Sequence, residues 1–353
     1  MFSRAMSCTA SWTRRRVLGA AAAAAIVALA PQAALAADKL IIGAPPFYSS
    51  LLAFIADELG YWKQAGLDVD LRQFPGGAHV NEAVLAGSID IGMGVGVGPA
   101  VALASRGARV LVVAPEAYAD TTSPPELLIV KADSPITDVK QLDGKKVAIH
   151  AKGTLSYILL EALSQPVGIK PVILEIPVTS QWAALKRGDV AAVMSETPFP
   201  EQMKAEGGRY LYGLPHKDVV PYLSATVSVT TQKFAAEKPE VLRKAIAVSL
   251  RTARWIMANP EKARDMISAR YKYKPEVTRL IHPQSFKWGR NATYPMDSIR
   301  WWGRHMKQLG IIQNEPDYRK YFVTSFVDAA LKEVGKVADP DFEQLLAQPI
   351  PRK

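Results

Sequence analysis

The first half of this chain alternates short apolar runs with stretches of helical spacing. That rhythm confines the fold to sheets of mainly parallel strands, because a parallel pair needs a crossover, usually a helix, to join it. Residues 39–43, 67–74, 89–93 and 109–114 read as strands, and residues 49–59, 80–86 and 99–105 as the helices between them. In 67–74 the apolar Leu67, Val69 and Leu71 alternate with charged residues, the pattern of a half-exposed strand. The rhythm pauses at Thr121-Thr122-Ser123-Pro124-Pro125, passes a strand at 127–130 and restarts after Gly144. The second set has strands at 146–149, 172–176 and 190–194 and helices at 155–163 and 181–186. One more strand is expected at 223–230, with Ala225, Val227 and Val229 on one face, followed by helices at 241–257, 260–271, 296–309 and 321–334.

The expectation is an α/β chain of two lobes, with two mostly parallel sheets flanked by helices. Residues 38–125 plus 231–353 form lobe one and residues 126–230 form lobe two. The chain crosses near 124–130 and returns near 225–231, so two adjacent crossings make a hinge.

The N-terminus carries a separate instruction. Thr13-Arg14-Arg15-Arg16-Val17-Leu18 precedes an Ala-rich apolar stretch that ends at Ala34-Leu35-Ala36. The stretch is short of the roughly 20 apolar residues that span a bilayer, and it closes on a small-residue cleavage pattern. Residues 1–36 therefore read as a cleaved export signal, and the arginine order resembles the twin-arginine type. An ordinary signal with a basic start fits as well. Cleavage removes Cys8, the only cysteine, so no disulfide, thiol nucleophile or thiolate metal site is expected in the mature chain. It also removes Arg4, Arg14, Arg15 and Arg16, which takes the 43 basic residues to 39 against 33 acidic ones, a balance of +6. No Lys/Arg run marks a nucleic-acid face. A mild positive balance suits small anionic partners better.

In open α/β sheets, ligands bind outside the carboxyl ends of the strands, so the residues just after each strand are the candidates. After the first strand, Phe47 and Tyr48 either flank a ligand or pack under the loop, and Ser49 or Ser50 caps the next helix. After the third strand comes Gly92-Met93-Gly94-Val95-Gly96-Val97-Gly98, whose alternate glycines let backbone approach a ligand or a neighbouring helix. The sharpest local signal is His150-Ala151-Lys152-Gly153-Thr154-Leu155-Ser156. A helix start with unpaired amides and a favourable dipole suits an anion, with Thr154 and Ser156 as hydroxyl donors and Lys152 as nearby charge. His150 reads as a strand-end histidine. Trp182 walls a pocket or packs its own helix, and Glu196 is a strand-end carboxylate able to accept from a ligand amine or hydroxyl. The five histidines lack metal-ligand spacing and no G-x-S-x-G elbow occurs, so no enzyme activity, catalytic residue, cofactor or metal is expected.

The segments Leu40-Ile41-Ile42-Gly43, Gly60-Tyr61-Trp62 through Gly66-Leu67-Asp68-Val69, Phe74-Pro75-Gly76-Gly77 and Gly87-Ser88-Ile89-Asp90-Ile91-Gly92 occur in order. Asp143-Gly144-Lys145-Lys146-Val147-Ala148, Gly153-Thr154 and Gly188-Asp189-Val190 follow them. This series resembles the nitrate/sulfonate/taurine-type periplasmic substrate-binding proteins of ABC importers, a superfamily shared with pyrimidine-precursor-binding proteins. The resemblance implies a Venus-flytrap fold with ligand between the lobes. It implies ligand-binding roles for Pro46, Phe47, Tyr48 and Ser49, for Gly94, Val95 and Gly96, for Gly153, Thr154, Leu155 and Ser156, and for Glu196; Trp182 is added from the residues themselves. The aromatic set of Phe47, Tyr48, Tyr157, Trp182 and Phe199 suggests a ligand bulkier than nitrate.

The function so implied is delivery of a small organic anion to an ABC importer permease. The anion is a sulfonate, a taurine-like compound or a carboxylate, aromatic ones included. The expected protein is a periplasmic monomer that is not membrane-embedded and binds no nucleic acid. Two alternatives stay open: an exported or vitamin-precursor-branch enzyme acting on a pyrimidine, and a ligand-sensing receptor for a membrane sensor.

Overall fold

The computed structural model describes residues 37–122, 125–212 and 220–350. The expected export signal and its cleavage point lie outside them. The strands in chain order are β1 (Asp38–Ala44), β2 (Leu67–Gln73), β3 (Ile91–Gly96), β4 (Val110–Pro115), β5 (Ala117–Asp120), β6 (Glu126–Lys131) and β7 (Lys146–Ile149). They continue with β8 (Val172–Glu175), β9 (Ala192–Glu196), β10 (Gly208–Tyr212), β11 (Tyr222–Ser224), β12 (Thr226–Thr231) and β13 (Lys287–Trp288).

Two five-stranded sheets share one plan. The first has the order β2-β1-β3-β12-β4 and the second β8-β7-β9-β6-β10. In each, the first three strands are parallel and the fourth runs against them. That fourth strand is in each case the one that carries the chain across: β6 enters the second sheet and β12 re-enters the first. The amphipathic reading of 67–74 is matched by β2, which is an edge strand with Leu67 buried and Asp68 and Asp70 exposed.

The strand expected at 223–230 is two strands. β11 pairs with β5 in a small sheet completed by β13, and β12 pairs with β3 and β4 in the first large sheet. Ala225 links them, its amide bonded to Ala117 O at 2.9 Å. The return to the first sheet begins at Thr226. The helix expected at 321–334 is likewise broken, into Tyr318–Tyr321 and Ser325–Val334.

Helices cover both large sheets. The long Pro239–Ala258 buries Val241, Leu242, Ala245, Ile246 and Leu250 against the helices Leu51–Glu58 and Ser325–Val334. Among the described residues, no helix is long and apolar enough to cross a membrane. At the end of β12, Thr231 caps the helix Gln232–Glu237 by accepting from the Phe234 amide at 3.0 Å. Thr231→Ala removes that acceptor and is expected to cost about 1 kcal/mol, read as a lowered midpoint of urea unfolding with an unchanged slope.

Candidate functional site

The shared sheet plan brings two sets of strand ends to one cavity of about 200 Å³. From the first sheet come Phe47 and Ser49 after β1, Gly77 and Ala78 after β2, and Gly94 and Gly96 in β3. From the second come His150 to Ser156 after β7, Val178 after β8 and Glu196 ending β9. The two reversed strands present their starts at the same place, so Glu126 opens β6 on one side and Thr226 opens β12 on the other. Trp302 and Met306 of the helix Met296–Gln308 complete the wall. The volume is just below the ~300–1,000 Å³ usual for small-molecule pockets.

Contacts span the two sheets around this cavity. The Tyr48 amide donates to Thr197 O at 3.2 Å and the Ser49 amide to Glu196 Oε1 at 3.3 Å. The Phe47 ring meets the His150 and Phe199 rings edge-on at 5.8 and 5.9 Å. Thr226 Oγ1 accepts from the Ala117 amide at 3.1 Å and donates to Ser49 O at 3.2 Å, which fixes the loop that carries Ser49.

The glycine run in β3 divides into two tasks. At Gly92 a side chain would strike Val80 and Val229, so this position serves helix-on-sheet packing. Gly94 has φ +64 and would drive a Cβ into Ser50, and it faces the cavity with Gly96. Its amide donates to Glu116 Oε2 at 2.9 Å, a carboxylate buried behind the site.

The helix Leu155–Val167 begins at the cavity. Its first intrahelical bond is Ile158 N to Thr154 O at 3.1 Å, so the Leu155 and Ser156 amides precede the ladder and are donors without helical acceptors. The two hydroxyls expected to assist them are engaged elsewhere. Thr154 Oγ1 donates to Ala151 O at 2.6 Å, and Ser156 Oγ donates to Glu126 at 3.0 and 3.1 Å. A hydroxyl has one proton to give, so neither donates to an anion in this arrangement.

Glu126 is the residue that sequence reasoning missed and that most changes the site. It is 2% exposed and lies directly opposite Glu196 in the β6–β9 register. Burial, and after it the neighbouring Glu196 charge, hold its carboxyl well above the usual range. Burial also pushes Glu196 up to about 7, against the lowering effect of Ser49, through its side chain first and its amide second. His150 is held below its ordinary value, by burial first and by His79 second.

Of the residues expected to bind ligand, Phe47, Ser49, Gly94, Gly96, Gly153, Thr154, Leu155, Ser156 and Glu196 border the cavity. Pro46, Tyr48, Val95 and Trp182 do not. Tyr48 is buried in the core with its hydroxyl donating to Pro283 O at 3.1 Å, because the loop turns it under the helix that follows. Val95 alternates inward from its two glycines into the core. Trp182 turns its indole N–H to Glu206 at 2.7 Å, with Lys186 over the ring, a surface arrangement. Tyr157 also stands off the cavity, and of the aromatic set only Phe47 borders it, with Trp302 the large ring not foreseen. Among the described residues, no group of three or more His, Cys, Asp or Glu side chains could hold a metal ion.

Two parallel-rich sheets that turn their strand ends onto one cavity define a two-lobed α/β architecture of the ligand-binding kind. The chain belongs to the NMT1/THI5-like family, which it matches over residues 49–263. It is 28% identical over 209 residues to the taurine-binding periplasmic protein of Escherichia coli, an alignment covering 56% of this chain and 61% of that one. Its structure is similar to that of the periplasmic aliphatic sulphonate binding protein SsuA from Escherichia coli, with TM-score 0.66, 18% identity and coverage of 81% and 92% of the two chains. It is also similar to the periplasmic nitrate-binding protein NrtA from Synechocystis, with TM-score 0.69, 14% identity and coverage of 89% and 92%. The fold is the periplasmic binding protein fold, and the resemblance read from the sequence motifs is that of the matching family.

Proposed function

We propose that this chain is the extracytoplasmic substrate-binding protein of an ABC importer, closing on a small organic anion and presenting it to the permease. It is a binder and not an enzyme. The observation that carries this reading is the start of the helix Leu155–Val167, which opens onto a cavity lined from both sheets. Amides ahead of a helical ladder, with the helix dipole behind them, favour negative charge. Lys152 borders the same cavity.

The two sheets act as two lobes in this reading. Lobe one holds residues 38–122 and the chain from Thr226 onward, and lobe two is built on β6–β10. The hinge is the pair of crossings that flank β6 and β12. Ligand contacts made from both sides favour the closed form over the open one by the difference in binding energy between them. Export by the N-terminal signal puts the mature chain in the periplasm, and it works as a monomer.

A thermal-shift screen of sulfonates, carboxylates, nitrate and pyrimidines tests this. At about 1,000 times its Kd, a ligand of the folded state stabilises by about 4 kcal/mol, so at least one organic sulfonate or carboxylate should raise the melting temperature by several degrees. A panel without any response rules the reading out.

A further inference from the structure

We propose that Glu116 is the positioning residue of the first-sheet wall: its carboxyl stands in for a ladder acceptor where β3 bulges, and so fixes the Gly94–Gly96 backbone at the cavity. This deepens the binding reading above and rests on it. The pairing register locates the bulge. Between the pairs Gly92–Val229 and Val95–Val227, Met93 and Gly94 lie opposite the single Ser228. On the other side of β12, Val113 is the extra residue between the pairs Val112–Val229 and Ala114–Ser228. Both neighbours of β12 thus carry one residue too many at the level of Ser228. Such an extra residue is left out of the ladder and resets which face its successors occupy. Gly92 and Val95 turn toward the core that holds Val80, whereas a side chain at Gly94 would strike Ser50, on the side where Met93 packs with Leu51. Gly94 has the left-handed φ of +64, and Gly94 and Gly96 border the cavity.

Glu116 sits where the chain leaves β4 for β5, with β12 between it and Gly94. Its own amide donates to Thr226 O at 2.9 Å. Its side chain reaches past β12, accepting from Ser228 Oγ at one oxygen and from the Gly94 amide at the other, the latter at 2.9 Å. A buried backbone N–H left without an acceptor costs as much as a lost hydrogen bond, so the acceptor missing from the ladder has to be replaced. Among the described residues, no ion pair falls on Glu116. A carboxyl 4% exposed without a cation beside it is costly to bury, and the two bonds that offset the cost both lie on the bulge. Oε2 accepts from Gly94 whether the group is a carboxylate or an acid with its carbonyl turned that way. Gln offers the same pattern, an amide oxygen for Gly94 and an NH2 for Ser228 Oγ. Met fills the space without an acceptor, and Asp keeps the acid but is one methylene short of Gly94.

Two measurements on wild type, Glu116→Gln, Glu116→Met and Glu116→Asp decide this. The first is amide hydrogen exchange by NMR, without ligand. Gly94 should be protected in wild type and Glu116→Gln and lose that protection in Glu116→Met and Glu116→Asp, with the core of the second sheet unchanged. The second is calorimetry with whichever of taurine, ethanesulfonate, benzoate, nitrate and cytosine raises the wild-type melting temperature most. Affinity should fall about tenfold or more in Glu116→Met and Glu116→Asp, the scale of one buried donor deprived of its acceptor, and hold within about threefold in Glu116→Gln. A general loss of stability would not be rescued by Gln in this way. Fast exchange of Gly94 in wild type overturns the inference, and that result needs no variant to fold. So does wild-type affinity in Glu116→Met or Glu116→Asp, or a loss in Glu116→Gln as large as in Glu116→Met; in these cases the importer reading stands. If no probe binds the wild type, the importer reading falls and this inference falls with it.

Discussion

One added methyl group at Gly98 is expected to abolish high-affinity binding while leaving the fold intact. Gly98 is the second residue of the helix Val97–Ser105, and an ideal Cβ there would lie 2.2 Å from Gly153 O and 2.8 Å from the Trp302 ring. Neither neighbour can give way cheaply. The Gly153 carbonyl is backbone in a turn with φ +78, immediately before the helix that opens on the cavity. Trp302 is 1% exposed and donates its indole N–H to Ser224 O at 2.8 Å. The relief left to Gly98→Ala is a wider separation of the first-sheet helix from the second-sheet turn. That separation spreads the walls that must reach the ligand together. Affinity for any compound that stabilises the wild type should fall at least ~100-fold, or about 2.8 kcal/mol. The variant should have the wild-type circular dichroism spectrum and a larger radius of gyration by small-angle scattering. Wild-type affinity in Gly98→Ala would show that these surfaces need not approach one another for binding.

The reasons some of this site was legible in the sequence, and some was not, are physical. Parallel strands buried on both faces are short apolar runs, and a turn must follow each carboxyl end, so the loops that carry Phe47, Ser49, Gly94, Gly153 and Glu196 stood out. Glu126 escaped the same rule because β6 runs backwards through its sheet. Its start, and not its end, reaches the cavity, and chain direction within a sheet is a matter of partners that periodicity does not record. The same ignorance of partners hid the break at Ala225, where a continuous β-prone run changes from one sheet to another. Trp302 and Met306 lie on the buried stripe of an amphipathic helix, and a stripe facing a cavity has the same spacing as a stripe facing a core. Tyr48 failed in the opposite sense: it neighbours a true cavity residue, but adjacent side chains in a turn point in different directions. The hydroxyls of Thr154 and Ser156 were sound as donors and wrong as to acceptor, since the carboxylate that takes Ser156 comes from a segment thirty residues earlier.

The unliganded protein is expected to be more stable at pH 5 than at pH 8, the reverse of the behaviour of a protein whose carboxylates are salt-bridged. Burial pushes Glu116, Glu196 and Glu201 each up to about 7. Glu116 and Glu201 are 4% and 1% exposed, while Glu196 keeps some surface open to the cavity, so the first two carry the argument best. In the unfolded chain these groups titrate near 4.3. Between roughly pH 4.3 and 7 the folded state holds protons that the unfolded chain has released, so stability falls as the pH rises through that window and levels off above it. A shift of this size corresponds to an order of 3 kcal/mol per group, so even partial expression at Glu116 and Glu201 amounts to several kcal/mol. The opposing contribution acts at lower pH. Burial raises Asp120, but hydrogen bonds from Lys287 and Thr122 prevail and hold it at about 2, so its stabilisation is lost only as the pH falls below about 4. The two signs together put the stability maximum near pH 5. Glu201→Gln isolates one proton of the set. Thr197 Oγ1 donates to Glu201 Oε1 at 3.0 Å, a bond the amide oxygen of Gln can accept, and Oε2 is buried without a partner. The substitution mimics the protonated acid, so it should leave the melting temperature at pH 5 nearly unchanged and raise it at pH 8. Calorimetric scans at the two pH values decide the matter: a difference between variant and wild type that is the same at pH 5 and pH 8 would mean that Glu201 does not hold a proton in the folded state.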